Sequence, residues 1–198
     1  MKKELTLKEI ESLLGYEVKV VSDKPQRKLS DVPVGETFKL GDMEFIVLYK
    51  DIYHTHVILK DFWITDNFDY SSNDYRESSI RKKLNTEFYN KLISLCGSTN
   101  VVEHDVELTS NDGRKDYGSV KDYVSLITCD KYRKYVDIFD KYRTDDWWWT
   151  ATPYSTKSNG YGSSVCCVYY DSTLDFNYCR VNDGVRPFCI LKSNIFVY

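Results

Sequence analysis

The side chains of this sequence with chemistry to offer are three histidines, six cysteines and a late concentration of tyrosines. Cys96, Cys129, Cys166, Cys167, Cys179 and Cys189 show no CxxC spacing and form no zinc-finger pattern with the histidines, so free, mostly buried thiols are expected. His54 and His56, two residues apart, would share one strand face. That spacing suits a metal, but the sequence fixes no carboxylate or thiol ligand nearby, and no metal is assigned. Asp171, Asp175 and Asp183 are too scattered to claim the oxygen cluster calcium wants. No nucleophile elbow, phosphate loop, dinucleotide fingerprint or HExxH occurs, so no catalytic residues are assigned and a non-enzymatic protein is expected. What remains is recognition chemistry. Between Pro153 and Arg180 the chain is rich in tyrosine, serine, asparagine and cysteine, and the tyrosines, serines and asparagines supply wide amphipathic contacts and adaptable hydrogen bonds at low rotamer cost. Tyr154, Asn159, Tyr161, Tyr169, Tyr170, Phe176, Tyr178 and Arg180 are the candidate ligand contacts.

That stretch is framed by anchors. The run Trp147-Trp148-Trp149 carries large rings whose burial is worth a few kcal/mol each, roughly, and whose indole N–H groups need partners. At the other end Gly184-Val185-Arg186-Pro187 reads as a turn into the apolar run Phe188-Cys189-Ile190-Leu191. Trp148, Trp149, Gly184 and Arg186 are therefore assigned to scaffold, with the Arg186 guanidinium expected to hydrogen-bond backbone carbonyls.

A chain of 198 residues suits one domain with a small appendage. Residues 1–27 read as a helix–strand appendage and 28–198 as the main domain. Hydrophobic residues at 42%, charged residues at 29% and a mean hydropathy of -0.48 mark a soluble chain with enough apolar material for a core. No stretch approaches the roughly 20 apolar residues of a membrane span, and Met1-Lys2-Lys3-Glu4 leads into no signal-peptide core, so a cytoplasmic or virion-associated protein is expected. A net charge of -3 argues against nucleic acid as partner. No cofactor is implied; self-association is left open.

Thr6 to Leu14 reads as a capped helix with Glu9 completing a capping box, and Glu17 to Val21 as a strand before the linker Ser22 to Lys28. Thr37 to Leu40 and Met43 to Tyr49 form a hairpin over Gly41-Asp42, with His54 to Leu59 continuing the meander. Ile80, Leu84, Phe88, Leu92 and Leu95 form the stripe of a helix capped by Ser78 or Ser79 and stopped by Gly97, with a break at Asn85-Thr86 where Thr86 recaps. Asn100 to Tyr117 reads as a loop or irregular hairpin, Tyr123 to Ile127 as a strand, and Asp130 to Phe139 as a helix capped by Thr128. Val165 to Tyr170 and Leu174 to Val181 read as two strands joined at Asp171-Ser172-Thr173. The odd spacing of Val165 and Val168 calls for a bulge or a partly exposed apolar side chain. Short strands with two or three helices make an α+β domain.

Three separated motifs, Ser79-Ile80-Arg81-Lys82-Lys83-Leu84-Asn85-Thr86-Glu87-Phe88-Tyr89-Asn90, Trp148-Trp149-Thr150-Ala151-Thr152-Pro153 and Asp183-Gly184-Val185-Arg186-Pro187, resemble in order and spacing a bacterial and phage domain family of unknown function, over roughly Leu29 to Leu191. In that family the last motif reads Asn-Gly-Val-Arg-Pro. The resemblance implies a C-type-lectin-like fold, similar to formylglycine-generating enzymes and to the variable proteins of diversity-generating retroelements. In those variable proteins a mutable binding surface rides on a fixed scaffold. Ala151 stands where the family usually has arginine, which turns the reading toward the variable branch. What the resemblance implies is a phage or prophage receptor-binding protein with a protein or glycan ligand on another molecule or cell surface. Two alternatives remain: an oxidase of the formylglycine-generating type using a pair among Cys166, Cys167 and Cys179, and a cytoplasmic interaction module working through Thr6 to Val21.

Overall fold

The computed structural model describes residues 6–16 and 26–198. The strand expected over Glu17 to Val21 lies outside the described residues, as does most of the linker after it. Helix α1 (Leu7–Leu14) is capped by Thr6 and Glu9 in the reciprocal arrangement the sequence suggests, and Gly15 ends it at φ 74°. Strand β1 (Arg27–Lys28) follows, then β2 (Thr37–Leu40), β3 (Met43–Lys50), β4 (His54–Leu59) and β5 (Ile64–Asn67). A long helix comes next: α2 (Ser79–Lys83), a π-turn over Leu84–Phe88, and α3 (Tyr89–Cys96). After it come β6 (Val101–Val102), β7 (His104–Glu107), β8 (Ser119–Asp122) and β9 (Val124–Ser125), then short helices α4 (Cys129–Lys134) and α5 (Val136–Phe139). The chain finishes with β10 (Trp148–Pro153), β11 (Ser164–Val168), β12 (Leu174–Tyr178), β13 (Asn182–Val185), β14 (Phe188–Lys192) and β15 (Phe196–Val197). The result is a mixed α+β fold of short strands in several sheets. No helix among the described residues is long and apolar enough to cross a membrane.

Two sheets matter most. One runs β2-β3-β4-β14-β6, with β9 also pairing β14; the other runs β12-β11-β10-β13-β5. Successive side chains of a strand point to opposite faces, so the adjacent tryptophans of β10 part company. Trp149 enters the larger apolar cluster with Phe68 and Phe88, while Trp148 enters a second one with Tyr132, Phe139 and Phe188.

Several sequence expectations are corrected. The helix does not break at Asn85-Thr86. Thr86 Oγ1 donates to the Lys82 carbonyl (2.7 Å) instead of capping a new helix, and Asn85 reaches sideways to β9, donating to the Val124 carbonyl at 2.8 Å. The π-turn also explains the stripe. A four-residue spacing drifts by about 40° per step around a regular α-helix, and a wider turn takes up that drift. Ile80, Leu84, Phe88 and Leu92 are fully buried, whereas Leu95, only three residues on, is 40% exposed. Of Tyr123 to Ile127 only Val124 and Ser125 pair as strand, and the helix after Thr128 is interrupted at Tyr135. β11 uses neither device proposed for its parity: its register against β12 is unbroken and every residue from Ser164 to Val168 is buried. As an inner strand covered on both faces it has no solvent side. The irregularity sits in β10, between Trp149 and Pro153.

Candidate functional site

β10 is the inner strand from which the candidate surface is built. Its Trp149 indole donates to the Asp66 carbonyl (2.9 Å), tying it to β5. Gly184 of β13 pairs with Trp148 on one side and Thr65 on the other. A Cβ at Gly184 would lie 2.5 Å from the Phe62 ring, so the glycine is fixed by close approach. Arg186 is fully buried: its Nε donates to the Leu59 carbonyl (3.1 Å), and its guanidinium lies over Trp148 and Phe139. Trp148, Trp149, Gly184 and Arg186 thus all sit inside the molecule.

Outside this frame, the edge strand β12 and the connection from β10 to β11 carry the aromatic residues. Alternation puts Phe176 and Tyr178 on one face of β12. Tyr154, placed by its N–H on the Ser164 carbonyl (3.0 Å), brings its ring to 4.3 Å from Phe176 and 5.7 Å from Tyr161. Arg180 lies over Tyr178 at 5.9 Å. Tyr161, Phe176 and Tyr178 are 50%, 41% and 55% exposed, so these rings face solvent instead of closing a core. Tyr169 and Tyr170 belong to a separate stack: Tyr169 meets Trp147 at 4.2 Å and Tyr170 at 4.1 Å. Asn159 is exposed, but its amide nitrogen is directed to Ser155 Oγ at 3.1 Å, which makes it a loop-fastening group.

The edge itself is blunted. The N–H groups of Phe176 and Tyr178 bond to the side chains of Asp175 (2.8 Å) and Asn177 (2.9 Å), so the strand offers its side chains more readily than these backbone donors.

Three supports carry no signal in the sequence. The two N–H groups of buried Asn73 Nδ2 are shared among the carbonyls of Ser155 (2.7 Å), Tyr161 (2.9 Å) and Ser164 (2.7 Å), while its Oδ1 accepts from Tyr117 OH (2.8 Å). Asn73 fixes the loop that carries Tyr161. Asp112 accepts from Ser110 and Ser155, which hold its carboxyl down to about 2, and Asp116 accepts from Ser158 and Thr156. Nothing in the polar run Ser71-Ser72-Asn73-Asp74 marks Asn73 out; its role exists only once residues some ninety positions away return to it.

The cysteines and histidines take other places. Cys166 and Cys167 point to opposite faces of β11, and the thiol neighbour of Cys166 is Cys129. This contact lowers the Cys129 thiol to about 7 and raises that of Cys166. His56 packs edge-on to Tyr49 and Phe188, and burial holds its pKa down to about 4. No group of three or more His, Cys, Asp or Glu side chains suited to a metal gathers among the described residues.

The family model described as "Domain of unknown function (DUF6273)" matches residues 47–193, well over half of the chain. The chain belongs to the DUF6273 family. No curated protein and no solved structure matches it. The DUF6273 segment contains every strand from β4 to β14, and so both the buried frame and the exposed aromatic cluster.

Proposed function

We propose that this DUF6273 protein is a non-enzymatic recognition protein with a C-type-lectin-like scaffold. It presents Tyr154, Tyr161, Phe176, Tyr178 and Arg180 to a protein or glycan on another molecule or cell surface. The observation that carries this reading is the solvent-facing cluster that Tyr154 and Tyr161 form with Phe176 of the edge strand, next to a frame whose own aromatic residues are buried. Exposed rings held by rigid strands give large contact area with little ordering cost. Tyr169 and Tyr170 form a second, smaller contact region, and Asn159 serves the loop.

The same division between frame and surface suits the variable protein of a phage or prophage diversity-generating retroelement. Sequencing the DNA around the coding region tests this. A near-copy of the codons for residues 147–187 beside a reverse transcriptase is expected. Its differences should fall on adenines in the codons of the displayed residues and spare those of Trp148, Trp149, Gly184 and Arg186. Absence of such a copy would remove the variable-protein reading.

A second reading, an oxidase of the formylglycine-generating type, has the Cys129–Cys166 contact in its favour. Peptide oxidation that is lost on substituting either cysteine would support it against display.

A further inference from the structure

A cleft of about 400 Å³ opens where β7 and the turn after it meet the start of α4, with Asp105, Glu107, Ser110, Thr128, Lys131 and Thr152 in its walls. That volume lies within the roughly 300–1,000 Å³ typical of small-molecule sites. None of the displayed aromatic residues lines it.

Most of its polar atoms already have partners. Thr128 Oγ1 accepts from the Lys131 N–H (3.3 Å), Thr152 Oγ1 accepts from the Cys129 N–H (2.9 Å), and Arg133 is held between Asp130 and Asn111. Three charged groups are left over. The Lys131 ammonium has no hydrogen bond or ion pair among the described residues; it rests on the face of Phe188, 4.5 Å from the centroid. His56 and His104, both edge-on to that ring, bring it no negative charge. Burial first, and the Lys131 cation next, hold both histidines down to about 4, so they are neutral at physiological pH. On the rim, the carboxylates of Asp105 and Glu107 share the outer face of β7 and have no hydrogen-bond or ion-pair partner among the described residues.

A half-buried, unmatched cation in the wall of the same cleft as two unmatched carboxylates is complementary to a molecule carrying both charges. We propose that this cleft binds a small zwitterion of the free α-amino acid class, its carboxylate on Lys131 and its ammonium toward Asp105 and Glu107. The inference is independent of the display surface, none of whose residues lines the cleft.

The test is calorimetric titration of the full chain with the common amino acids, followed by the deamino and decarboxy analogues of the best binder. Saturable binding of at least one amino acid is expected, with either single-charge analogue about tenfold weaker or more. Lys131→Met should weaken the amino acid by about tenfold. Asp105→Asn with Glu107→Gln, both exposed and without structural partners, should do the same while leaving the deamino analogue unaffected. The proposal is overturned if wild-type protein binds no amino acid, if a single-charge analogue binds as tightly as the zwitterion, or if the exposed double variant binds the amino acid like wild type.

Discussion

The Arg186 guanidinium carbon lies 4.8 Å from the centroid of the Trp148 ring. Phe139 lies 5.5 Å from the same carbon, and the Leu59 carbonyl accepts from Nε. Arg186 has no carboxylate partner among the described residues, its Nη2 has no hydrogen-bond partner, and burial pushes its pKa down to about 10. A buried cation is therefore held by π faces and one carbonyl, a geometry that a planar, weakly hydrated guanidinium tolerates and a compact ammonium does not. This contact joins the Trp motif of β10 to the Gly-x-Arg motif at the end of β13, and it fixes the frame beside which the aromatic cluster is displayed.

Arg186→Lys should consequently be worse than Arg186→Met. Lysine keeps a buried charge and loses the stacking plane, for an expected loss of about 3 kcal/mol; methionine removes the charge and costs about 1–2 kcal/mol. Urea unfolding of both variants checks the order.

Gly184→Ala should cost about 2–3 kcal/mol, because the new methyl would meet the Phe62 ring at 2.5 Å. In a Phe62→Ala background the obstacle is gone. The same substitution should then cost under about 1 kcal/mol, a coupling that a double-mutant cycle measures directly.

Asp183, buried beside Asn177 and within the field of Asp146, has its carboxyl raised to about 6, chiefly by burial. A raised folded pKa means that the native state holds the proton more tightly than the unfolded chain. Its contribution to stability is therefore full below the ordinary carboxylate value and lost as pH rises through about 6. Asp183→Asn should raise stability by about 1–2 kcal/mol near neutral pH and by little near pH 4. Thermal unfolding across that window gives the answer.

Asn73→Ala removes one side-chain amide from three carbonyls of the Tyr161 loop. A loss of about 2–4 kcal/mol is expected. Hydrogen exchange at the Tyr161 and Ser164 amides should speed up more than in the β3–β4 pair.

Much of the frame was legible in the sequence because it rests on local signals. Thr6 with Glu9, Ser78, Thr128, Gly15 and Gly97 mark helix ends through side-chain and backbone chemistry that needs no tertiary partner. Adjacent tryptophans announce burial, but which core each enters follows from the register of β10, which no composition reveals. Asn85 reads as a helix breaker until β9 is there to receive it. The aromatic candidates divided for the same reason. Phe176 and Tyr154 are 22 positions apart and meet only through the pairing of β11 with β12, while Asn159 turns toward Ser155 because Asp112 holds that serine in place. Periodicity sees one strand at a time; the surface is made by three.

The central claim is that the Tyr154–Phe176 cluster contacts the ligand while the frame beneath it does not. Its most direct test is binding to arrays of bacterial surface glycans and surface proteins by wild-type protein beside a Tyr154→Ser, Phe176→Ser double variant. Saturable wild-type binding to at least one target is predicted, weakened about tenfold or more in the double variant, with the unfolding transition still cooperative. Equal binding by the two proteins, or no target bound by wild type, would contradict the account.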